Sequence, residues 1–246
     1  MKSIVIDRDR AVLAKATEDI KKFYKAGAAP ILTPGFMRIE ALISNGKQTY
    51  DFRIQRDNTA DTVTERKVDR KDMFVMSEMG LYLMKRVSTL TGGEKLQTYV
   101  NEVEFADNST TFIGDHLNAF FNGSVKIQVG QTVLAEAIDT KRFKVVPDTQ
   151  AAAAAYAAIN AAGAEATSSV LAAASKKLAI GAASSRPDDG MAPMTPTYIL
   201  DGDGKTVLSL YAPVHANALV AHTAASTANY LVLYVRGFHA TGGVRL

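Results

Sequence analysis

The 246-residue sequence contains no cysteine and no tryptophan. Without cysteine there is no disulfide framework and no thiolate metal site, and the redox compartment leaves no trace in the chain. Without tryptophan, the aromatic platforms usual at carbohydrate sites are poorly supplied. An excess of charge of one sign is also missing. Lys and Arg number 28 against 25 Asp and Glu, a formal net charge of +3. A dedicated nucleic-acid binder carries a far larger basic surplus. Long hydrophobic runs are absent too. Ile4-Val5-Ile6 is ended at once by Asp7, Arg8, Asp9 and Arg10. A signal peptide needs roughly 7–15 apolar residues, and a membrane span about 20. These features suggest a soluble chain made in the cytoplasm.

What is present is apolar material, 47% of the residues, enough for a sizeable core. The length suits one large β domain, since all-β sandwiches often reach this size as a single unit. Residues 9–26 have helical spacing, with Val12, Ala16, Ile20 and Phe23 on one stripe and Lys15, Lys21, Lys22 and Lys25 mostly off it. Gly27 and Pro30 stop the pattern. Such a helix either docks on its own domain or reaches a neighbour, a genome or a membrane as a basic arm.

Strand patterns fill residues 33–147. The run 36–43 alternates in part, and 50–56 alternates strictly. Asn45-Gly46 lies between them and suggests a hairpin. The polar segment 57–68 is a loop. Residues 73–87 form a long apolar strand, with a helix as the competing assignment and Gly80 as the expected bulge or bend. Residues 97–105 alternate weakly. A short helix at 115–121 leads through Asn122-Gly123 into the strand 124–129. Gly130-Gln131 turns into 132–134, and 142–146 is the next strand, closed by Pro147. Residues 150–185 are roughly half alanine, which favours two helices broken at Gly163. The proline-bearing segment 184–196 is a loop. Strands follow at 197–200 and 205–211, joined by Asp201-Gly202-Asp203-Gly204. The run 229–239 is nearly continuous in apolar residues, which implies burial on both faces and a central position. About eight or nine strands in one Greek-key sandwich follow, and a jelly roll is the commonest arrangement of eight. The expected organisation is an N-terminal helical arm at 1–32 and an all-β, single jelly-roll domain at 33–246. The alanine-rich tract 150–185 is then a helical insertion between late strands.

Motifs for chemistry are sparse. His116, His215, His222 and His239 have no metal-ligand spacing. Asp201-Gly202-Asp203-Gly204-Lys205 has the start of a calcium loop, but Ala212 stands where a bidentate Glu is required at the twelfth position. A turn explains those residues without a metal. No phosphate-cradling or nucleophile-elbow motif occurs, and Thr91-Gly92-Gly93-Glu94-Lys95 has the wrong spacing. Asp57, Asp61, Glu65, Asp69 and Asp72 are mixed with Arg56, Arg66, Lys67, Arg70 and Lys71, as in a solvated or subunit-contacting loop. Tyr50, Phe52, Arg53 and Arg56 make a faint base-stacking pattern, better explained as core packing of an alternating strand. The expectation is a non-enzyme with no catalytic, cofactor-binding or metal residues and no cofactor.

Three segments carry a family resemblance. They are 117–131 (LNAFFNGSVKIQVGQ), 139–147 (DTKRFKVVP) and 229–238 (NYLVLYVRGF). Together they resemble the capsid proteins of tailless icosahedral bacteriophages of the vertical jelly-roll kind. The resemblance covers residues 33–147 and 196–246 at the level of pattern. It implies a structural virion protein that self-assembles into an icosahedral shell, through trimers or pseudo-hexamers. It also implies other virion proteins as partners, sometimes an internal membrane, and a location in the virion after synthesis in the host cytoplasm. The basic N-terminal helix is the expected contact to membrane or genome. A carbohydrate-binding or adhesin-like sandwich module is the alternative, and a cupin-type enzyme a more distant one.

Overall fold

The computed structural model describes residues 4–25, 27, 29–57, 62–87, 94–100, 105, 117–145, 190–203, 205–213 and 227–243. The alanine-rich tract, expected to be helical, lies outside them, as do His116, His215 and His222. Among the described residues, one α-helix, α1 (Ile4–Lys21), precedes eight strands: β1 (Ile31–Leu42), β2 (Thr49–Arg53), β3 (Met73–Val87), β4 (Ser124–Val129), β5 (Thr132–Asp139), β6 (Ala192–Asp201), β7 (Thr206–Tyr211) and β8 (Thr227–Thr241). They form two four-stranded sheets, in the orders β1-β8-β3-β6 and β2-β7-β4-β5. Every neighbouring pair is antiparallel. The protein is an all-β sandwich. Its pairings are nested: β4 with β5, β3 with β6, β2 with β7 and β1 with β8.

Alternation of side chains builds the core. Met37 and Ile39 of β1, Leu81 and Leu83 of β3, and Leu231 and Leu233 of β8 point inward from the first sheet. Tyr50, Phe52, Val125, Ile127, Leu208 and Leu210 meet them from the second. Each such side chain contributes on the order of 1.5–3 kcal/mol through burial. β8 runs between β1 and β3 in the sheet, and packing covers both of its faces. Leu231, Leu233 and Val235 enter the main core, while Val232 packs outward with Tyr82 and Met84. That two-sided burial is why this strand lacks polar alternation.

The apolar stripe of α1 lies on the outer face of the first sheet, the face turned away from the second. Ala16, Ile20 and, one turn on, Tyr24 pack on Met73, Val75, Phe238 and Ala240. The helix begins and ends earlier than its periodicity predicts. Among the described residues no helix is long and apolar enough to cross a membrane.

Several expectations fail for local reasons. The segments around Asn45-Gly46 do turn, with Gly46 at a φ of 72°, but they form no hairpin. β1 pairs with β8 and β2 with β7, so the turn carries the chain from one sheet to the other. The bulge in β3 is at Ser77, where the register slips between Met76 and Glu78, and not at Gly80. Gly80 instead makes room for Met191 and Tyr82, whose side-chain atoms would lie 2.7–3.0 Å from an added Cβ. Of the strand expected at 142–146, the described residues 142–145 form none. Asp139 accepts a hydrogen bond from the Lys141 N–H at 2.9 Å and starts a 3-10 helix, Thr140–Phe143, that buries Phe143. The expected helix at 115–121 is a 3-10 helix at Asn118–Asn122, anchored by buried Phe120 and Phe121. Gln97 makes one isolated bridge to Leu83, not a strand start. β6 begins at Ala192, inside the expected loop. It lies at a sheet edge, where Pro193 and Pro196 interrupt no ladder on the free side.

Candidate functional site

The outer face of the β1-β8-β3 layer holds the chemistry of the described residues. α1 covers one end of it. The middle is aromatic: Phe36 stacks on Tyr234 with ring centroids 5.1 Å apart and planes 6° apart, and Tyr82 meets Tyr234 edge-on at 6.3 Å. The other end is ionic. Alternation places Arg38 and Glu40 of β1 and Arg86 of β3 on this same face. The loop 62–68 and Glu94 fold over them.

Glu40 is the centre. Its side chain is 1% exposed, with Arg38 Nη2 at 2.8 Å from one carboxylate oxygen and Arg86 Nη2 at 2.7 Å from the other. Thr64 Oγ1 donates to Oε1 at 2.7 Å and Thr62 Oγ1 to Oε2 at 3.1 Å. Arg86 also donates through Nε to Glu94 at 2.6 Å and lies over the Tyr230 ring at 4.8 Å. Glu65 accepts from the backbone N–H groups of Glu40 and Thr62 at 3.0 and 2.9 Å, and pairs with Lys67 at 3.0 Å. Burial works to lower the pKa of Arg86, but the hydrogen bonds and charges of Glu94 and Glu40 outweigh it and hold the guanidinium above its ordinary value. Three carboxylates face three cations. The net effect is a buried clamp that fixes the turn 62–65 onto β1.

The same loop closes one side of the sandwich. Arg66 exchanges two backbone hydrogen bonds of 2.9 Å with Arg38 on the edge of the first sheet. Val68, buried in the core, accepts from Arg56 N and donates to Ile54 O, both at 2.8 Å, beside the end of β2. On the opposite side, the 3-10 helix Thr140–Phe143 reaches β6 through a hydrogen bond from Arg142 to the Pro193 carbonyl at 3.0 Å.

The residues singled out from the sequence are scattered by comparison. Tyr50 and Phe52 are fully buried core residues, while Arg53 lies on the opposite face of β2, so the structure does not bring them together as a stacking platform. Burial raises the Tyr50 hydroxyl pKa, and its hydrogen bond with Ser44 opposes the shift. In the turn after β6, Asp201 accepts from Asp203 N at 3.0 Å. Asp203 accepts from Lys205 N at 3.2 Å and pairs with Lys205 Nζ at 3.1 Å. Both carboxylates serve the turn. Its Gly202 sits against the Asp69 and Asp72 carbonyls, where a Cβ has no room. His239 packs edge-on to Phe74 at 4.7 Å. Among the described residues, no three His, Asp or Glu side chains converge as metal ligands would. Of the mixed-charge segment 57–72, Glu65 and Lys67 join the clamp; Asp61 lies outside the described residues. Arg38, Glu40 and Arg86 were not singled out by the sequence. Their only signal is a charge at a face position inside an otherwise apolar strand.

The fold and this face define an all-β sandwich with a covered outer sheet. No protein-family model, curated protein or solved structure matches the chain.

Proposed function

We propose that the protein is a structural subunit that self-assembles into a shell, a virion capsid protein built on a single jelly roll. The observation that carries this reading is the nested pairing of strands one with eight, two with seven, three with six and four with five. Wrapping one long antiparallel ribbon with those pairings into two layers produces a jelly roll. Such sandwiches present rigid walls, and rigidity favours repeated contacts between copies. The clamp and the two sealed sides add to that rigidity. The N-terminal helix rests on its own sheet with Lys15, Lys21, Lys22 and Lys25 exposed to solvent. Lys22 pairs with Asp19 at 2.7 Å; Lys15, Lys21 and Lys25 remain available to a membrane, a genome or other virion proteins.

Electron microscopy of the purified full chain tests the proposal. Closed particles or regular arrays are the expected result, with trimers or pseudo-hexamers as building blocks. A protein that stays monomeric at every concentration and solution condition overturns it.

A further inference from the structure

We propose that the rim formed by β1 and the clamped turn 62–65 is a docking surface for a second copy of this chain, in a two-fold contact. This rests on the self-assembly reading above and names the surface involved.

Among the described residues, four of the nine exposed large apolar side chains lie on β1 or the turn over it: Ile31, Phe36, Leu42 and Val63. Val63 is 94% exposed. Single exposed apolar residues are common on any surface. This one differs because of what holds it. The threonines on either side, Thr62 and Thr64, are bonded to the buried Glu40 carboxylate. The side chain therefore projects from a fixed turn. Phe36 and Leu42 occupy the same outer face of β1 as Glu40, two and one strand repeats away, and are 40% and 50% exposed. Buried ion pairs are a poor source of net stability compared with apolar packing. Four of them gathered beneath one surface turn are better explained by the shape they impose than by the stability they add.

The charge of the rim identifies its occupant. Glu40, Glu65 and Glu94 balance Arg38, Lys67 and Arg86, leaving exposed Arg66 as the one surplus cation among these groups. Anionic membranes are recognised by clusters of about 4–8 basic residues, and nucleic acid by about 6–10 phosphate contacts. A near-neutral apolar rim matches neither and matches itself, as a two-fold contact requires. Twelve strand residues at roughly 3.4 Å each give a rim about 40 Å long. A strip about 20 Å wide along it reaches the roughly 800 Å² per partner of an ordinary stable interface.

The test is sedimentation of the full-length chain over a wide concentration range. It compares wild type with Val63→Asp, Leu42→Asp and, as a control on β5, Val133→Asp. The first two are expected to weaken association at least tenfold, with Val133→Asp within twofold of wild type. Unchanged melting temperatures establish that the variants fold. Because the chain has no cysteine, Val63→Cys adds a second measurement: a short bis-maleimide should join two copies into a covalent dimer. If wild type assembles and both rim variants assemble equally well, or if Val63→Cys gives no covalent dimer, the rim is not the contact and the self-assembly reading survives. A wild type that never associates removes both.

Discussion

Glu40 shows how much one residue can hold. Its carboxylate receives two guanidinium groups and two hydroxyls while almost sealed from water. Breaking one member of such a network leaves the others buried and unpaired, which costs about 3–5 kcal/mol. Glu40→Gln is therefore expected to lower the urea-unfolding free energy by that amount, whereas Val63→Ala stays within about 0.5 kcal/mol. A loss under about 1 kcal/mol for Glu40→Gln would mean that the clamp is dispensable. Asp72 behaves in the opposite sense. Burial first, then the charge of Asp69, raises its pKa above the ordinary 3.8, against the pull of the Gly242 N–H and His239. A carboxyl whose pKa is higher folded than unfolded opposes folding when ionised. That opposition is complete above the raised value and gone below the ordinary one. Asp72→Asn should stabilise at pH 7 by no more than about 0.5 kcal/mol, because solvent screens the group. Thermal melts of mutant and parent should converge near pH 3. A stabilisation that persists at pH 3 points to a cause other than charge.

At the scale of elements, the helix and the sheet edges each lead to an expectation. Ile20 is 1% exposed between α1 and the first sheet. Ile20→Ala should cost about 2–4 kcal/mol, measured by denaturant unfolding. Removing residues 1–28 uncovers Met73, Val75, Phe238 and Ala240. The truncated sandwich should keep its strand signal in circular dichroism but melt earlier and bind a hydrophobic dye. Equal melting temperatures would show that α1 adds nothing to the domain. The four sheet edges are each protected against strand addition in a different way. β1 carries Pro34 and the Arg66 bridge, β6 carries Pro193 and Pro196, β2 is only five residues long, and β5 has two register shifts against β4. Such devices discourage open-ended sheet growth, so copies should meet through side chains and turns.

Legibility in the sequence follows the same divide. β8 could be read because burial on both faces erases polar alternation over Tyr230-Leu231-Val232-Leu233-Tyr234-Val235. β4, the Gly130 turn and the start of β5 at 132–134 were legible because a local hairpin rule decides them; the continuation of β5 to Asp139 was not read. The β1–β2 connection was misread because Asn-Gly signals a turn but not which sheet the chain enters next. The first half of β6, 192–196, was hidden by prolines that only an edge tolerates, while its 197–200 half was read as a strand; the 142–146 segment was misread because of a cap at Asp139. The clamp was illegible for a different reason. Arg38, Glu40, Glu65, Arg86 and Glu94 are each ordinary charges until β1, β3 and two loops converge, and no spacing in the chain encodes that convergence.

For the whole molecule, the nested topology places the longest pairings last. Ile31 is opposite Thr241 and Leu42 opposite Tyr230, so the first sheet closes only when both ends of the chain have come together. Non-local pairings of this kind make folding slow. Stop-flow refolding should therefore run on the millisecond-to-second scale or slower, since the loop-closure entropy is spent before those contacts form. The charge balance leads to the last expectation. A formal net charge of +3 on 246 residues gives little electrostatic repulsion between copies, and salt screens exposed charges more than buried pairs such as the clamp. If copies meet through an apolar, nearly neutral rim, their association constant should change by less than about threefold between 50 and 500 mM NaCl, because few counterions are released. Contacts mediated by a bound polyanion would instead weaken by a factor of about 1,000 or more over a fourfold rise in salt. Sedimentation across that series separates the two: a flat response supports side-chain contact between surfaces of matching shape, and a steep fall would place the exposed lysines of α1 at the centre of assembly.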